Sequence, residues 1–211
     1  MKPSARFVLP FAVCAALIGC NNDPAKGKTQ ATVASATEAV AAPATAVKYA
    51  FSNDGSKVDF VGAKVSAKHD GSFGAFRGSI GLVDGDPTKS SVTAEIDMAS
   101  LTVEPAKLSA HLKSPDFFDA AKFPQGKFSS TAIKAGGEGG ATHTVTGNLE
   151  LHGVTKSITF PAKIKVEGEQ VSVDAEFAIN RKDFSIVYPG MPDDLIKDDV
   201  LIKLALHAKK Q

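Results

Sequence analysis

The strongest constraint on the fold is an alternation of apolar and polar residues that begins near Val47 and recurs to the end of the chain. Apolar residues stand at every second position in five clear runs, at residues 92–98, 145–151, 158–166, 171–179 and 200–206. A period of two is that of a strand with one buried face, whereas an amphipathic helix repeats about every 3.6 residues. The sequence therefore predicts an all-β domain over residues 47–211.

Short turn-forming stretches separate these runs, at residues 69–71, 84–87, 136–140, 152–153 and 167–169. Links of this length join antiparallel neighbours, because parallel strands need a long crossover connection. Antiparallel strands with one apolar face bury that face by closing a barrel or by packing as a sandwich. An eight-stranded barrel can enclose one small ligand, but periodicity does not distinguish a hollow interior from a filled one.

One segment, residues 104–122, interrupts the alternation and predicts a short helical excursion. Pro105 stands at a favourable first helical position, and Pro115 follows the expected end of the helix. Residues at helical spacing would share one face: Leu108, His111 and Leu112. Phenylalanines crowd this part of the chain, at positions 117, 118 and 123. Two interpretations stay open, since these rings either cap the core or form a lid over a cavity.

The first nineteen residues have the features of a targeting segment rather than of folded structure. Lys2 and Arg6 precede an apolar stretch, residues 7–18, which is shorter than the roughly 20 residues needed to span a bilayer as a helix. The stretch ends in Leu-Ile-Gly-Cys, which resembles a bacterial lipobox. We therefore expect a signal peptide over residues 1–19 and an acylated Cys20 at the mature N-terminus. The alternative is an ordinary secretory leader with an incidental cysteine.

Residues 20–46 are rich in Ala, Thr, Val, Ser and Pro and contain no aromatic residue. We expect a flexible tether here, and the β-branched residues and Pro43 disfavour the alternative of an Ala-rich helix. Asn21 follows the cysteine where an Asp would, by the usual sorting rule, retain a lipoprotein in the inner membrane. The predicted location is thus the bacterial envelope, facing the periplasm, with the outer membrane favoured over the inner one in a Gram-negative cell.

Composition excludes several classes of function. The chain has 24 Lys+Arg against 23 Asp+Glu, a formal net charge of +1, so no overall field favours nucleic acid or an anionic membrane surface. Cysteine occurs only at positions 14 and 20, ahead of the predicted domain. The domain therefore has no disulfide, thiolate nucleophile or cysteine-ligated metal.

A set of ordered segments resembles the YceI-like polyisoprenoid-binding family. The segments are SKVDF (56–60), GSFGAFRG (71–78), IDMASL (96–101), HLKSPDFFD (111–119), FP (123–124), VTGNLELHGVTK (145–156) and INRKDF (179–184). Two departures are visible, because Tyr49-Ala50-Phe51 stands where the family often has a Trp, and Ser185 where a Gly is common. The departures affect the mouth or shape of a pocket rather than the fold.

The resemblance implies a single, extended, lipocalin-like antiparallel barrel of eight strands, whose apolar tunnel takes up an isoprenoid chain such as a quinone tail or a polyprenyl phosphate. Inward parity or family position makes nine residues candidates for the lining, with ordinary core packing as the alternative for each: Phe60, Phe73, Phe76, Phe128, Leu149, Leu151, Phe160, Phe177 and Phe184. The implied role is that of an envelope carrier, store or protector of the lipid, with the isoprenoid and the anchoring membrane as partners. The alternative function is a structural or protein-binding envelope lipoprotein with a filled barrel.

Polar side chains are weaker candidates for a functional site than the apolar lining. Arg77 is expected to point outward but would contact a head group if it lay at the mouth. Arg181 is expected to form a structural ion pair with Asp183, with a head-group contact as the alternative. The five histidines have no metal-ligand spacing, with His69 and His152 expected in solvated turns, and no nucleophile or dinucleotide motif occurs, so we expect no metal, no cofactor and no enzymatic activity.

Overall fold

The computed structural model describes residues 23–39 and 41–211, and strands dominate them. The strands are β1 (Thr32–Ser35), β2 (Val47–Ser52), β3 (Lys57–Ala63), β4 (Lys68–Phe73), β5 (Phe76–Val83), β6 (Asp86–Asp97), β7 (Leu101–Val103), β8 (Gln125–Ala135), β9 (His143–Leu151), β10 (Val154–Glu167), β11 (Gln170–Asn180), β12 (Gly190–Met191), β13 (Asp194–Leu195) and β14 (Asp199–Lys210). Helix α1 (Ala106–Lys113) lies in the predicted excursion, directly after Pro105. Short 3₁₀ turns cover Met98–Ser100, Glu138–Gly140 and Arg181–Phe184.

The strands form a closed antiparallel barrel, which confirms the predicted fold class. Neighbours around the ring are β2, β5, β6, β8, β9, β10, β11 and β14, and β14 pairs with β2 to close it. Near one end, three of the wall strands are interrupted: β2 continues as β3, β5 is preceded by β4, and β6 continues as β7. Both β2 and β3 pair with β14, for example Ala50 with Lys209 and Val61 with Leu201. The interruptions lengthen the barrel without breaking its up-and-down order.

Inward aromatic rings lie over glycines of adjacent strands. A Cβ atom on Gly147 would stand 2.3 Å from the Cζ atom of Phe128, and one on Gly71 would stand 2.2 Å from the Cζ atom of Phe60. Only glycine leaves room for a ring this close to the backbone. The pairing of phenylalanines with glycines on adjacent strands explains how the wall accommodates several phenylalanines on its inner face.

The two ends of the barrel differ. At one end the links are tight, such as those between β5 and β6 and between β10 and β11. At the other end, the α1 excursion and the long connection 181–198, which carries the β12–β13 hairpin, gather beside the β3–β4 link. Lys197 N–H donates to Ala63 O over 2.8 Å, and Val65 N–H donates to Leu195 O over 3.0 Å. We call this end the mouth.

The tether prediction is wrong for part of its length. Residues Thr32–Ser35 form β1, which pairs with β10, and Ala31 is only 4% exposed within the core. Asn148 of β9 donates to Thr37 O and accepts from Thr37 N–H, so the segment continues across the outer wall. A Thr- and Val-containing stretch makes a strand here because tertiary pairing outweighs its weak local signal.

Two smaller expectations are also corrected. His69 does not lie in a turn but within β4, where it pairs with Gly62. His152 does lie in a turn, yet it is only partly exposed, because its ring packs against Phe123 with centroids 4.9 Å apart.

Within residues 23–39 and 41–211, no helix has the length and apolar character needed to cross a membrane. The predicted signal peptide and Cys20 lie outside the described residues.

Candidate functional site

A large cavity occupies the interior of the barrel and opens at the mouth. Its volume is about 960 Å³, at the upper end of the range of ligand pockets. Its walls are almost entirely apolar, with side chains contributed by strands all around the ring. The barrel interior is therefore hollow, which settles the question that periodicity left open.

Eight of the nine predicted lining residues face this cavity: Phe60, Phe73, Phe76, Phe128, Leu149, Leu151, Phe160 and Phe177. Phe184 does not. Its side chain is 0% exposed and packs in the core, because the chain leaves β11 at Asn180 and Phe184 is the last residue of the 3₁₀ helix that follows. His152 Nδ1 donates to Phe184 O over 3.2 Å, which holds this turn against the β9–β10 link.

Phenylalanine rings on the strands of the lining touch one another in two places. Deep in the barrel, Phe160 stacks on Phe177 with centroids 4.2 Å apart and planes inclined by 14°, and Phe128 lies 6.0 Å from Phe160. Near the mouth, Phe73 lies 5.6 Å from Phe60 and 6.4 Å from Phe118. Ring edges and faces present no strong hydrogen-bonding group. Such walls suit a ligand whose body is apolar.

Helix α1 lies over the mouth. Leu108, His111 and Leu112 share one helix face, as their spacing predicted, and this face lines the cavity, as do Phe117 and Phe118. The lid interpretation thus holds for these two rings, whereas Phe123 packs on His152 instead. Sequence reasoning did not single out Tyr188, whose ring lies 5.2 Å from both His111 and Phe117. No periodic signal marks Tyr188, because it stands in the irregular connection 181–198.

Phe51 also lines the cavity, although it is not among the nine lining residues predicted from the sequence. It is 4% exposed, and its ring lies over Gly78 of the adjacent β5. The alternation of Tyr49 and Phe51 on β2 is the signal that would have found it.

Most of the charged and histidine side chains on the lining lie at the mouth: Lys64, His69, Lys107, His111, Arg181, Asp194 and Lys197. The exception is Asp59 of β3. Lys64 is bonded through its ammonium to Asp194 of β13, and Ser66 donates to the same carboxylate through its N–H and its hydroxyl. The hydrogen bond from Lys64, followed by those from Ser66, lowers the pKa of Asp194 to about 2. The β3–β4 link and the β12–β13 hairpin are thereby joined beside the opening.

Arg181 does not pair with Asp183. Its guanidinium is buried and donates to Lys197 O, to Ile186 O and to the carboxylate of Asp198, over 3.2, 2.8 and 3.0 Å. Residues 181 and 183 do not share a strand face, because β11 ends at Asn180. Lys182, followed by Arg181, lowers the pKa of Asp198. Arg181 therefore ties the connection 181–198 together.

Arg77 points outward, as expected, and forms an ion pair with Glu95 on the outer wall. It does not line the cavity, so the condition for a head-group contact is not met.

Within the described ranges, no group of three or more His, Cys, Asp or Glu side chains has a geometry that would hold a metal ion.

Two relatives found by sequence comparison are both UPF0312 proteins. A UPF0312 protein of Pseudomonas putida strain W619 is 36% identical over 139 residues, which are 63% of this chain and 71% of that protein. A UPF0312 protein of Pseudomonas fluorescens strain SBW25 is 35% identical over the same length and shares of the two chains.

Solved structures share the fold. BcnA of Burkholderia cenocepacia superposes with a TM-score of 0.65 at 27% identity and covers 74% of this chain and 98% of its own. A polyisoprenoid binding domain from Saccharophagus degradans gives a TM-score of 0.62 at 15% identity, with 79% and 99% covered. The model of the YceI-like domain matches residues 49–208, which span the barrel from β2 to β14. The chain belongs to the YceI-like family.

Proposed function

We propose that this protein binds an isoprenoid lipid, of the quinone-tail or polyprenyl phosphate type, with the chain in the barrel and the head group at the mouth. The observation that carries the proposal is the 960 Å³ cavity, which is largely apolar and has most of its ionisable side chains gathered at one end. An isoprenoid has the same division between a long apolar chain and a polar head. The polyisoprenoid binding domain among the structural relatives supports the same ligand class.

The energetics suit exchange with a membrane. Burial of apolar atoms is worth about 0.8 kcal/mol per CH₂ relative to water, so a chain of several isoprene units is strongly disfavoured in bulk solvent. Transfer between a bilayer and a dry apolar cavity is nearly neutral by the same measure. A carrier of this kind loads and unloads without an energy source, which fits a role in transport, storage or protection of the lipid.

We also propose that the protein is a lipoprotein, anchored through acylated Cys20 and facing the periplasm, with the outer membrane favoured. The lipobox-like sequence before Cys20 supports this anchor. Residues 29–35 lie in the barrel wall, and Lys28 pairs with Glu176 of β11, so only a short stretch of chain separates Cys20 from the barrel. Nine residue steps separate Cys20 from Thr29, a span of at most roughly 30 Å, so an acyl anchor at Cys20 would hold the barrel next to the bilayer.

The alternative with a filled barrel is not supported, since the interior is hollow. The cavity also offers little for catalysis. His111 bonds to Asp116 at the mouth, but among the residues that the structure describes no serine or cysteine lines the cavity beside this pair. We therefore propose a non-enzymatic binding protein.

Uptake of an isoprenoid quinone from vesicles tests the proposal. The chain has no Trp and two Tyr, so the near-ultraviolet absorption of a bound quinone stands out against the protein. Protein re-isolated after mixing with quinone-loaded vesicles is expected to carry about one quinone per barrel. Quinone-free protein, alongside normal folding by circular dichroism, would overturn the proposal.

A further inference from the structure

Strands β10 and β11 pair along only part of their length. Their ladder runs from Glu167 opposite Gln170 to Lys163 opposite Asp174. Beyond this point the two strands separate toward the mouth, although β10 remains paired with β9 and β11 with β14. We call the gap between residues 156–159 of β10 and residues 175–180 of β11 the seam.

The N-terminal segment fills the seam. Strand β1 is antiparallel to β10, with Thr32 opposite Thr159 and Ser35 opposite Lys156. On the other side, Ala31 N–H donates to Ala178 O over 2.8 Å, and Ala178 N–H donates to Thr29 O over 2.9 Å. Ala178 is completely buried, so without this segment both its backbone groups would lose their partners inside the wall.

The side chains of the N-terminal segment that fills the seam are small compared with those of the flanking strands. Its inward side chains are Ala31 and Val33, whereas Thr32, Ala34 and Ser35 are exposed. The flanking strands contribute Ile158, Phe160, Phe177 and Ile179 to the cavity lining. Removing β1 would therefore expose an apolar slot that leads directly to the cavity while leaving the eight-stranded ring connected. Strand β1 also lies outside the residues matched by the family's domain, 49–208.

The mouth is a poor route for an apolar chain. Lys64, Lys107 and Asp194 lie on its lining, and α1 covers it. A chain entering there passes hydrated charges, whereas a chain entering through the seam meets aliphatic and aromatic side chains on both sides. With the N-terminus anchored at Cys20, the seam is also the part of the barrel wall closest along the chain to the bilayer.

We infer that residues 29–35 are a displaceable wall strand, and that its displacement opens a lateral entrance through which the isoprenoid chain passes between bilayer and cavity. This inference rests on the proposed function and adds the path by which the ligand enters. A displaced state populated at about 0.1–10% is sufficient, because a minor conformation can carry all of the exchange.

A disulfide across the seam tests the inference. In the full chain with Cys14 and Cys20 changed to Ser, the pair Thr32→Cys and Thr159→Cys joins β1 to β10 at opposite, outward positions. The matched control joins β10 to β9 through Thr159→Cys and Thr146→Cys, whose hydroxyl oxygens lie 2.9 Å apart. The measured quantity is the rate of quinone uptake from vesicles, before and after reduction.

The oxidised Thr32–Thr159 pair is expected to slow uptake by more than about tenfold, since the open state is lost, and reduction is expected to restore it. The control disulfide is expected to leave the rate unchanged. Equal rates for the oxidised and reduced Thr32–Thr159 pair would overturn the inference. An opening variant, Ala31→Asp, is expected to accelerate uptake several-fold compared with Ala34→Asp, because only position 31 is buried.

Hydrogen exchange separates this inference from the proposed function. The amides of Ala31 and Ala178 are expected to exchange well before those of the β11–β14 ladder, whether or not a lipid binds. If no variant takes up quinone but these amides exchange early, the proposed function fails and the displaceable strand stands. If they exchange only with global unfolding, the displaceable strand is wrong.

Discussion

The rings of Phe160 and Phe177 stack 4.2 Å apart at the point where the β10–β11 ladder ends. Their positions continue the register of the ladder, three residues beyond its last pair, Lys163 with Asp174. From Thr159 onward β10 pairs with β1 instead. Both rings are buried, and both line the cavity. The stack therefore holds the two strands together on the inside while β1 fills the wall toward the mouth.

A bulky side chain placed inside the cavity is expected to displace the ligand. Ala94 of β6 lines it, so Ala94→Phe places a ring in the space that the lipid would occupy. We expect bound quinone per barrel to fall severalfold at little cost in stability, because the cavity accommodates the added volume. Thr93→Phe is the control, since Thr93 is exposed on the outer wall. Equal quinone binding by the two variants would argue against a ligand in this cavity.

The contact between Phe128 and Gly147 makes a prediction about stability. Gly147→Ala forces the ring of Phe128 away from the backbone and is expected to destabilise the barrel by about 1–3 kcal/mol. Gly62→Ala is the matched control, because a Cβ there meets nothing within 4 Å. Urea unfolding of both variants measures the difference. A neutral Gly147→Ala would mean that the ring moves freely.

Arg181 is expected to behave as a structural residue. Arg181→Met leaves the carbonyl oxygens of Lys197 and Ile186 without their donors, and we expect a loss of roughly 2–5 kcal/mol in unfolding free energy. Lys182→Ala, which removes an exposed ion pair with Asp198, is expected to cost at most about 1 kcal/mol. A stable Arg181→Met protein with weakened lipid binding would instead favour the head-group role.

The mouth is expected to respond to acid. Because the pKa of Asp194 is lowered to about 2, the stability contributed by its bonds to Lys64 and Ser66 is fully present above the ordinary pKa of 3.8. It is lost as the pH falls through about 2. Unfolding measured against pH is thus expected to show wild type more stable than Asp194→Asn above pH 4, with the difference vanishing near pH 2. A difference that persists at the lowest pH would contradict this assignment.

Sequence patterning predicted the regular parts of the molecule and failed at the irregular ones. Alternation located five of the eight wall strands because a strand fixes which side chains face inward. Inward parity or family position located eight of the lining residues. Phe184 and Arg181 were misplaced because both follow the end of β11, where parity no longer applies.

Strand β1 was missed for a different reason. Four residues of alternation, Thr32–Ser35, carry too little local signal, and the pairing that orders them comes from strands more than a hundred positions away. The β-branched residues of this stretch, Thr32 and Val33, disfavour a helix. Their preference for strands was the available clue.

Lipid extraction followed by mass spectrometry tests the central claim most directly. Protein purified in quantity from the cells that produce it, without detergent exchange, is extracted with organic solvent, and Ala94→Phe prepared in parallel reports nonspecific lipid. We expect an isoprenoid lipid at a substantial fraction of one per barrel in the wild type and much less in the variant. A wild-type extract with no isoprenoid, or with equal amounts in both proteins, would contradict the account.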